Sequence, residues 1–328
     1  MPVNHPRQED LAHLQMLCST GRFDDAELRA RKLLRKFPAY VPLAGLLGAA
    51  LSSQGKHAEA IKVYELAVAR KPEQVEAWFS LGVACACEKQ FAEAAAHFLQ
   101  VIKRSPGAAQ AYHFRGNALA DLGSFEEAAG CLRHAISLTP GLAALHNDLG
   151  TALHAQAQHE AAAEAFRMAL EIEPGLVEAH YNLGNVLQDM ENFPEAAIHF
   201  REALSHRPDF ADGWNNLGNA LHNLCRHDEA LACYRKSLAL NPNLAEARNN
   251  LGSTLSSVGK FSEAIECFQE VLRVQPQFSL ARKNLGDAFL QSGRRTEGLT
   301  QLGLHTGFVR FGAKNGISMH GRSSVAAN

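Results

Sequence analysis

Four asparagines recur at a fixed interval in the second half of the 328-residue sequence, where they could form a binding surface. They are Asn182, Asn216, Asn250 and Asn284, each 34 residues after the one before. A carboxamide offers both hydrogen-bond donors and an acceptor, and a peptide backbone offers one of each per residue. The series therefore predicts recognition of an extended polypeptide through its backbone, in a manner that tolerates the sequence of the ligand.

Further amides belong to the same candidate site. On a helix, residues three and seven apart share one face, and this spacing relates Asn216, Asn219 and Asn223. The additional candidate binding residues are Asn185, Asn215, Asn219 and Asn249. The alternative is a solvated or packing role, but Asn costs ~0.5 kcal/mol or more against Ala inside a helix. Because Lys, Glu or Gln would serve a solvated face at lower cost, the repeated Asn favours binding.

Histidine and cysteine are the other residue types that could do chemistry, and the sequence has sixteen of one and seven of the other. The pairs His154–His159 and His222–His227 are five residues apart with a helix break between them, a poor spacing for metal ligands on one helix face. No His-Glu-x-x-His motif occurs. Cys131, Cys233 and Cys267 share one position of the repeat, which indicates packing. We interpret these residues as structural and expect no catalytic residue, metal or cofactor, hence no enzyme.

Three residue types define the elements that must position the asparagines. Prolines recur every 34 residues at Pro38, Pro72, Pro106, Pro140, Pro174, Pro208, Pro242 and Pro276. Glycines recur with the same period at Gly48, Gly82, Gly116, Gly150, Gly184, Gly218, Gly252 and Gly286. Alanines do so at Ala26, Ala60, Ala94, Ala128, Ala162, Ala196, Ala230 and Ala264. Proline ends helices, and Gly or Ala inside a helix marks close approach of a second helix. Each unit is therefore predicted to be a hairpin of two helices.

The motifs of this unit resemble the tetratricopeptide repeat. Trp214-x-x-Leu217-Gly218, Ala230-x-x-x-Tyr234 and Pro242 carry the resemblance. It covers residues 7–305, flanked by an N-terminal extension, 1–6, and a non-repeat tail, 306–328. Nine units begin near residues 7, 41, 75, 109, 143, 177, 211, 245 and 279. The resemblance implies an all-α, right-handed superhelical solenoid that binds proteins on the face lined by its first helices.

The asparagine series resembles the asparagine ladder in the repeat superhelix of O-linked N-acetylglucosamine transferases, where it holds extended protein substrates. The resemblance extends to Asn182, Asn216, Asn250 and Asn284. Earlier units have Leu46, Ser80, Phe114 and Asp148 at the equivalent position. There Phe79, His113 and Phe114 predict a more apolar groove. The main hypothesis is a non-catalytic protein-interaction scaffold. The alternative is the substrate-binding arm of such a transferase or another modifying enzyme.

Charge and composition limit the partners. The formal net charge of −2 gives no basis for nucleic-acid binding. The positions that grip a C-terminal carboxylate in chaperone-binding repeats are acidic here, at Glu76, Glu178, Asp212 and Glu246. Acidic groups repel such a ligand. We expect no membrane partner and a cytoplasmic location, since neither a signal peptide nor a long apolar run is evident. Self-association through the end units is a further hypothesis.

The last residues, from Gly303, break the repeat. Phe308-Val309-Arg310-Phe311 and Ile317-Ser318-Met319 flank Lys314-Asn315-Gly316, a pattern typical of a hairpin. A flexible tail and the beginning of a further module are the alternatives.

Overall fold

The computed structural model of the protein describes residues 5–303, and every regular element among them is an α-helix. The chain divides into two compact units, Met1–Pro174 and Gly175–Asn328, hereafter the N-unit and the C-unit. The predicted hairpin or tail over 306–328 lies outside the described residues.

The described part of the N-unit contains ten helices. They are α1 Gln8–Ser19, α2 Phe23–Lys36, α3 Val41–Ser53, α4 His57–Arg70, α5 Val75–Cys87, α6 Phe91–Arg104, α7 Ala109–Asp121, α8 Phe125–Leu138, α9 Ala143–His154 and α10 His159–Ile172. The described part of the C-unit contains eight. They are α11 Val177–Asp189, α12 Phe193–His206, α13 Ala211–Asn223, α14 His227–Leu240, α15 Ala245–Ser257, α16 Phe261–Val274, α17 Ser279–Gln291 and α18 Arg295–Gln301. The prediction of an all-α solenoid of helical hairpins is confirmed.

Proline follows the second helix of each hairpin before the last, as the sequence predicts. Helix α12 ends at His206, two residues before Pro208, and α14 ends at Leu240, two residues before Pro242. In several hairpins the proline carbonyl then receives a hydrogen bond from the first helix of the next hairpin. Trp214 Nε1 donates to Pro208 O over 2.9 Å, and Arg248 Nη2 donates to Pro242 O over 2.7 Å. The conspicuous tryptophan of the motif thus fixes the junction between hairpins.

The glycine of each first helix permits close packing within the hairpin. A Cβ built on Gly150 would lie 2.7 Å from the Phe166 ring, and one on Gly184 would lie 2.6 Å from the Phe200 ring. Phe166 and Phe200 are almost fully buried. Glycine and the aromatic residue sixteen positions later therefore form one interlocking pair, which fixes how the two helices are rotated against each other.

The first hairpin reverses this arrangement. Leu14 occupies the position of the glycine, and Ala30 occupies that of the aromatic ring; both are fully buried. Large and small residues have exchanged places, which conserves volume. The aromatic position is a leucine in two hairpins: Leu132 in α7–α8, 2.9 Å from a Cβ built on Gly116, and Leu302 in the last hairpin, 2.7 Å from one built on Gly286.

The turn inside each hairpin requires a left-handed backbone. Gly123 has φ +78° and Gly259 has φ +79°. Ala157, Glu191 and Cys225 adopt φ 56°, 58° and 58° at the equivalent place. Left-handed geometry costs a non-glycine residue about 1–2 kcal/mol, so packing of the two helices holds these turns in place.

First helices also contact each other across hairpins, whereas second helices do not within the described part of either unit. In the C-unit α11 contacts α13, α13 contacts α15, and α15 contacts α17. Within each unit, taken alone, successive hairpins therefore approach each other more closely on the side of the first helices. This side carries the asparagines.

Glycine-to-alanine substitutions test the interlocking pair. We expect Gly150→Ala to lower the free energy of unfolding by about 1–3 kcal/mol, because its Cβ overlaps the Phe166 ring. Gly130 is the control: it is exposed on α8, and a Cβ there meets nothing within 4 Å. Gly130→Ala should stabilise by about 0.5–1 kcal/mol through helix propensity. Urea denaturation measures both, and equal effects would contradict the packing account.

Candidate functional site

The ladder asparagines lie half-buried along the side of the C-unit formed by its first helices. Asn216 lies on α13, Asn250 on α15 and Asn284 on α17. Each stands two residues before the glycine that packs against the second helix. Since that glycine faces the hairpin interior, the asparagine points toward the neighbouring first helix.

Each of these asparagines donates a hydrogen bond to the preceding first helix. Asn216 Nδ2 donates to Asn185 Oδ1 at a distance of 2.8 Å. Asn250 Nδ2 donates to Asn215 Oδ1 at 3.1 Å, and Asn284 Nδ2 donates to Asn249 Oδ1 at 3.1 Å. We call this connected series of carboxamides the ladder. It joins four successive first helices, α11 to α17.

Asn215 and Asn249 hold the ladder rather than face solvent. Asn249 is only 2% exposed and Asn215 is 8% exposed. Asn215 Oδ1 and Asn249 Oδ1 accept from the next first helix. In addition, Asn215 Nδ2 donates to Asn216 Oδ1 at 3.0 Å, and Asn249 Nδ2 lies 3.4 Å from Asn250 Oδ1. The binding residues predicted at these two positions are therefore buried beneath their half-buried neighbours.

The other predicted residues have mixed environments. Asn182 is half-buried on α11, and Asn185 beside it accepts the bond from Asn216. Asn219 Oδ1 accepts a hydrogen bond from the Tyr234 hydroxyl over 2.8 Å. Asn219 thus connects the ladder to the ring that packs on Gly218.

Unused hydrogen-bonding capacity differs along the ladder. A carboxamide has two N–H donors and an oxygen with two lone pairs. Asn216 uses its nitrogen twice, toward Asn185 and toward the Tyr181 hydroxyl at 3.0 Å. Asn250 and Asn284 each make one such donation within residues 5–303. The α15–α17 end of the ladder therefore keeps a donor at each asparagine.

Two tyrosines belong to this network although the sequence marks them only as packing or helix residues. Burial raises the pKa of Tyr181, and hydrogen bonds from Asn185 and Asn216 act in the opposite direction. Burial likewise raises the pKa of Tyr234. Both remain neutral hydroxyls near neutral pH. The 35-residue separation of Tyr181 from Asn216 is the signal that could have identified the contact.

The N-unit uses the ladder position differently. Asp148 accepts hydrogen bonds from His113 Nε2 at 2.7 Å and from Asn117 Nδ2 at 3.0 Å. The separations, 35 and 31 residues, equal those from Asn216 to Tyr181 and Asn185. A carboxylate thus makes the bridge that a carboxamide makes in the C-unit.

An aromatic cluster accompanies this bridge. The rings of Phe79 and Phe114 lie 5.4 Å apart, edge to face, and Phe114 is 37% exposed. A groove of about 400 Å³ runs beside them, lined by Val75, Phe79, Val101 and alanines of α7. Of the residues predicted to form an apolar groove in the earlier units, Phe79 lines this cavity, and Glu76, Ser80 and Gln110 add polar groups to its lining.

His222 and Cys233 lie in buried or partly buried surroundings in the C-unit. His222 Nδ1 lies 2.9 Å from Thr254 Oγ1, and burial followed by neighbouring His227 lowers the pKa of His222. Burial raises the pKa of Cys233 to about 11, as it does for Cys85 in the N-unit. All seven cysteines are free, and Cys87 and Cys225 are exposed.

Comparison with protein-family models assigns the chain to a class. Models described as tetratricopeptide repeat match residues 17–75, 46–109 and 88–143, residues 177–210, and residues 209–277. A model described as TPR repeat matches residues 150–191. Together the matches extend over residues 17–143 and 150–277. The chain belongs to the tetratricopeptide repeat proteins.

One solved structure shows the same fold, and shorter ones are similar to part of the chain. The chain is similar to one titled the APC/C hetero-tetramer Cut9-Hcn1, with a TM-score of 0.59 and 22% identity over 85% of this chain. It spans 55% of the length of that neighbour. Similarity to MamA covers 53% of this chain and 96% of the other, at 22% identity and a TM-score of 0.49. Similarity to YrrB, titled a TPR protein with an unusual peptide-binding site, covers 57% of this chain and 96% of the other, at 21% identity and a TM-score of 0.49. No curated protein matches the sequence significantly. None of the helices in the described range has the length and apolar character needed to cross a membrane.

Asn249→Ala tests the buried support of the ladder. We expect a loss of about 1–3 kcal/mol in the free energy of unfolding, because Asn284 loses its acceptor and Asn249 is itself buried. Asn243→Ala, at an exposed position before α15, is the control and should change stability by less than about 0.5 kcal/mol. Urea denaturation of the two variants makes the comparison, and an unaffected Asn249→Ala chain would show that the ladder bonds contribute nothing.

The cysteine environments predict reactivity. Because the thiolate is the reactive form, Cys87 and Cys225 should react rapidly with a disulfide reagent at pH 8, while Cys85 and Cys233 react only after unfolding. A Cys87→Ser, Cys225→Ser double variant should lose the fast phase. Fast modification of Cys233 in the native chain would contradict its burial.

Proposed function

We propose that this chain is a non-catalytic protein-interaction scaffold that binds an extended polypeptide along the ladder of the C-unit. The observation that carries the proposal is the hydrogen-bonded series Asn216, Asn250 and Asn284, which repeats once per hairpin on successive first helices. The proposal extends the protein-binding role expected of a tetratricopeptide repeat chain to a particular surface.

The repeat of the ladder suits an extended ligand. Neighbouring helices pack about 8–10 Å apart, and an extended chain advances ~3.3 Å per residue. One asparagine therefore meets about every third residue of the ligand. Because contacts of this kind use the backbone of the ligand, binding depends little on the identity of its side chains.

Preorganisation supports the same function. The bonds to Asn215 and Asn249 hold Asn250 and Asn284 in one orientation before any ligand arrives. Less side-chain entropy is then lost on binding. A merely solvated face would have no need of buried asparagines beneath it, at a cost in helix propensity.

The Asn250→Ala, Asn284→Ala double variant tests the proposal. The probe is an unstructured, fluorescently labelled peptide of about 15 residues, long enough to span the ladder at ~3.3 Å per residue. At about 1 kcal/mol per hydrogen bond, the affinity should fall by about 10- to 30-fold. Fluorescence anisotropy with the full chain gives the dissociation constant.

The matched control is the Asn241→Ala, Asn243→Ala double variant, which removes two exposed asparagines outside the first helices. Its affinity should equal that of the wild type. Circular dichroism establishes that both variants remain helical. Equal affinity of the ladder variant and the wild type, with intact helices, would sink the proposal.

The alternative function, substrate-binding arm of an O-linked N-acetylglucosamine transferase-like or other modifying enzyme, uses the same ladder. The likeness of the four asparagines to the ladder of those transferases favours it. The two functions differ in what accompanies the repeats. A native polypeptide far larger than 35.6 kDa that carries a transferase domain would establish the alternative function, that of a substrate-binding arm. Mass spectrometry of the protein from its own cells measures this mass.

A further inference from the structure

A polar cleft lies at the α15–α17 end of the ladder, in the part of the C-unit that keeps unused donors. Its volume is about 220 Å³, and Phe268 and Ala288 are its apolar lining residues. The polar groups around it come from six residues. These residues are Ser253, Ser256, Ser257, Asn284, Asp287 and Gln291. We call the space that they line the serine cleft.

Helix periodicity explains how these groups converge. Ser253, Ser256 and Ser257 are three and four residues apart, so they share one face of α15. Asn284, Asp287 and Gln291 likewise share one face of α17. The two first helices contact each other, and their polar faces enclose the cleft.

Small side chains on α15 leave this space open. The preceding first helix, α13, has Asn219, His222 and Asn223 where α15 has its three serines. His222 occupies the corresponding space and bonds to Thr254 across it at 2.9 Å. The serine cleft is thus the variant of a repeated inter-helix space from which the large side chain is missing.

Asp287 gives the cleft its charge. Its carboxylate is half-buried and makes no ion pair within residues 5–303. Lys283, one turn earlier on α17, is exposed and does not reach it. Ser256 Oγ is buried and lacks a hydrogen-bond partner in this part of the structure. A half-buried carboxylate and an unpaired buried hydroxyl that line one cleft are both costly until a polar, donor-rich group occupies the space.

We propose that the serine cleft binds a basic side chain, Arg or Lys, of the polypeptide held on the ladder. This inference rests on the proposed function and adds a side-chain preference to backbone recognition. The cleft supplies one anion together with hydroxyl and amide oxygens, and these are the acceptors that a guanidinium or ammonium group requires. A single carboxylate is too few for a Ca²⁺ site, which gathers six to eight oxygen ligands.

Matched peptides test the preference on the full chain. Three labelled peptides of the same uncharged sequence carry arginine, lysine or citrulline at one central position, citrulline being the neutral counterpart of arginine. A charge-assisted hydrogen bond is about twice as strong as a neutral one. The arginine and lysine peptides should therefore bind about 10-fold or more tightly than the citrulline peptide in fluorescence anisotropy.

Asp287→Asn should abolish this preference, so that the arginine, lysine and citrulline peptides bind the variant with similar affinity. Asp228→Asn, which removes an equal charge from an exposed position on α14, should keep the preference. Equal wild-type affinity for charged and neutral peptides would overturn the inference and leave the proposed function standing. Absence of binding by all three would overturn both, and a preference that survives Asp287→Asn would place the basic side chain elsewhere.

Discussion

The packing of a first-helix glycine against a second-helix ring is the contact on which the rest of the structure depends. Where Gly184 meets Phe200 or Gly218 meets Tyr234, an added methyl group would approach the ring to 2.6 Å. This close approach fixes the rotation of each first helix. Because the ladder asparagine lies two residues before the glycine, the same contact decides which neighbour the carboxamide meets. Hairpin packing and surface chemistry are therefore set together.

The ladder has two roles that share atoms. Its carboxamides bridge successive first helices, and the bonds that form the bridge also orient the groups left over for a ligand. Asn216 contributes mainly to the bridge, because its Nδ2 donates both of its hydrogen bonds, to Asn185 and to Tyr181. Asn250 and Asn284 retain a donor each in the described residues. In the N-unit Asp148 makes the equivalent bridge, which shows that bridging itself does not require asparagine. Bridging alone therefore does not explain why the C-unit has carboxamides at this position.

The fold could be predicted from sequence because the signals for it are local and repeated. Proline every 34 residues specifies where helices end, and the glycine and alanine positions specify which faces meet. The site was predictable only in part. Asn249 and Asn250 are adjacent in sequence and chemically identical, yet one is buried and the other half-buried. Contacts between residues 31 to 35 apart in the sequence decide which of the two is buried. The opening of the serine cleft likewise depends on a contact between helices, because Ser256 is smaller than His222, the residue at the equivalent position of α13. Periodicity identifies a helix face but not what lies against it.

The central claim, that the ladder of the C-unit recognises polypeptide backbone, is tested most directly by altering the backbone of the ligand. A labelled peptide of about 15 residues, the length that spans the ladder at ~3.3 Å per residue, is compared with the same sequence carrying N-methyl groups on alternate amides in its centre. N-methylation removes backbone donors and keeps every side chain. The account predicts that the methylated peptide binds about 10-fold or more weakly, at about 1 kcal/mol per lost hydrogen bond. Equal affinity of the two peptides would contradict it.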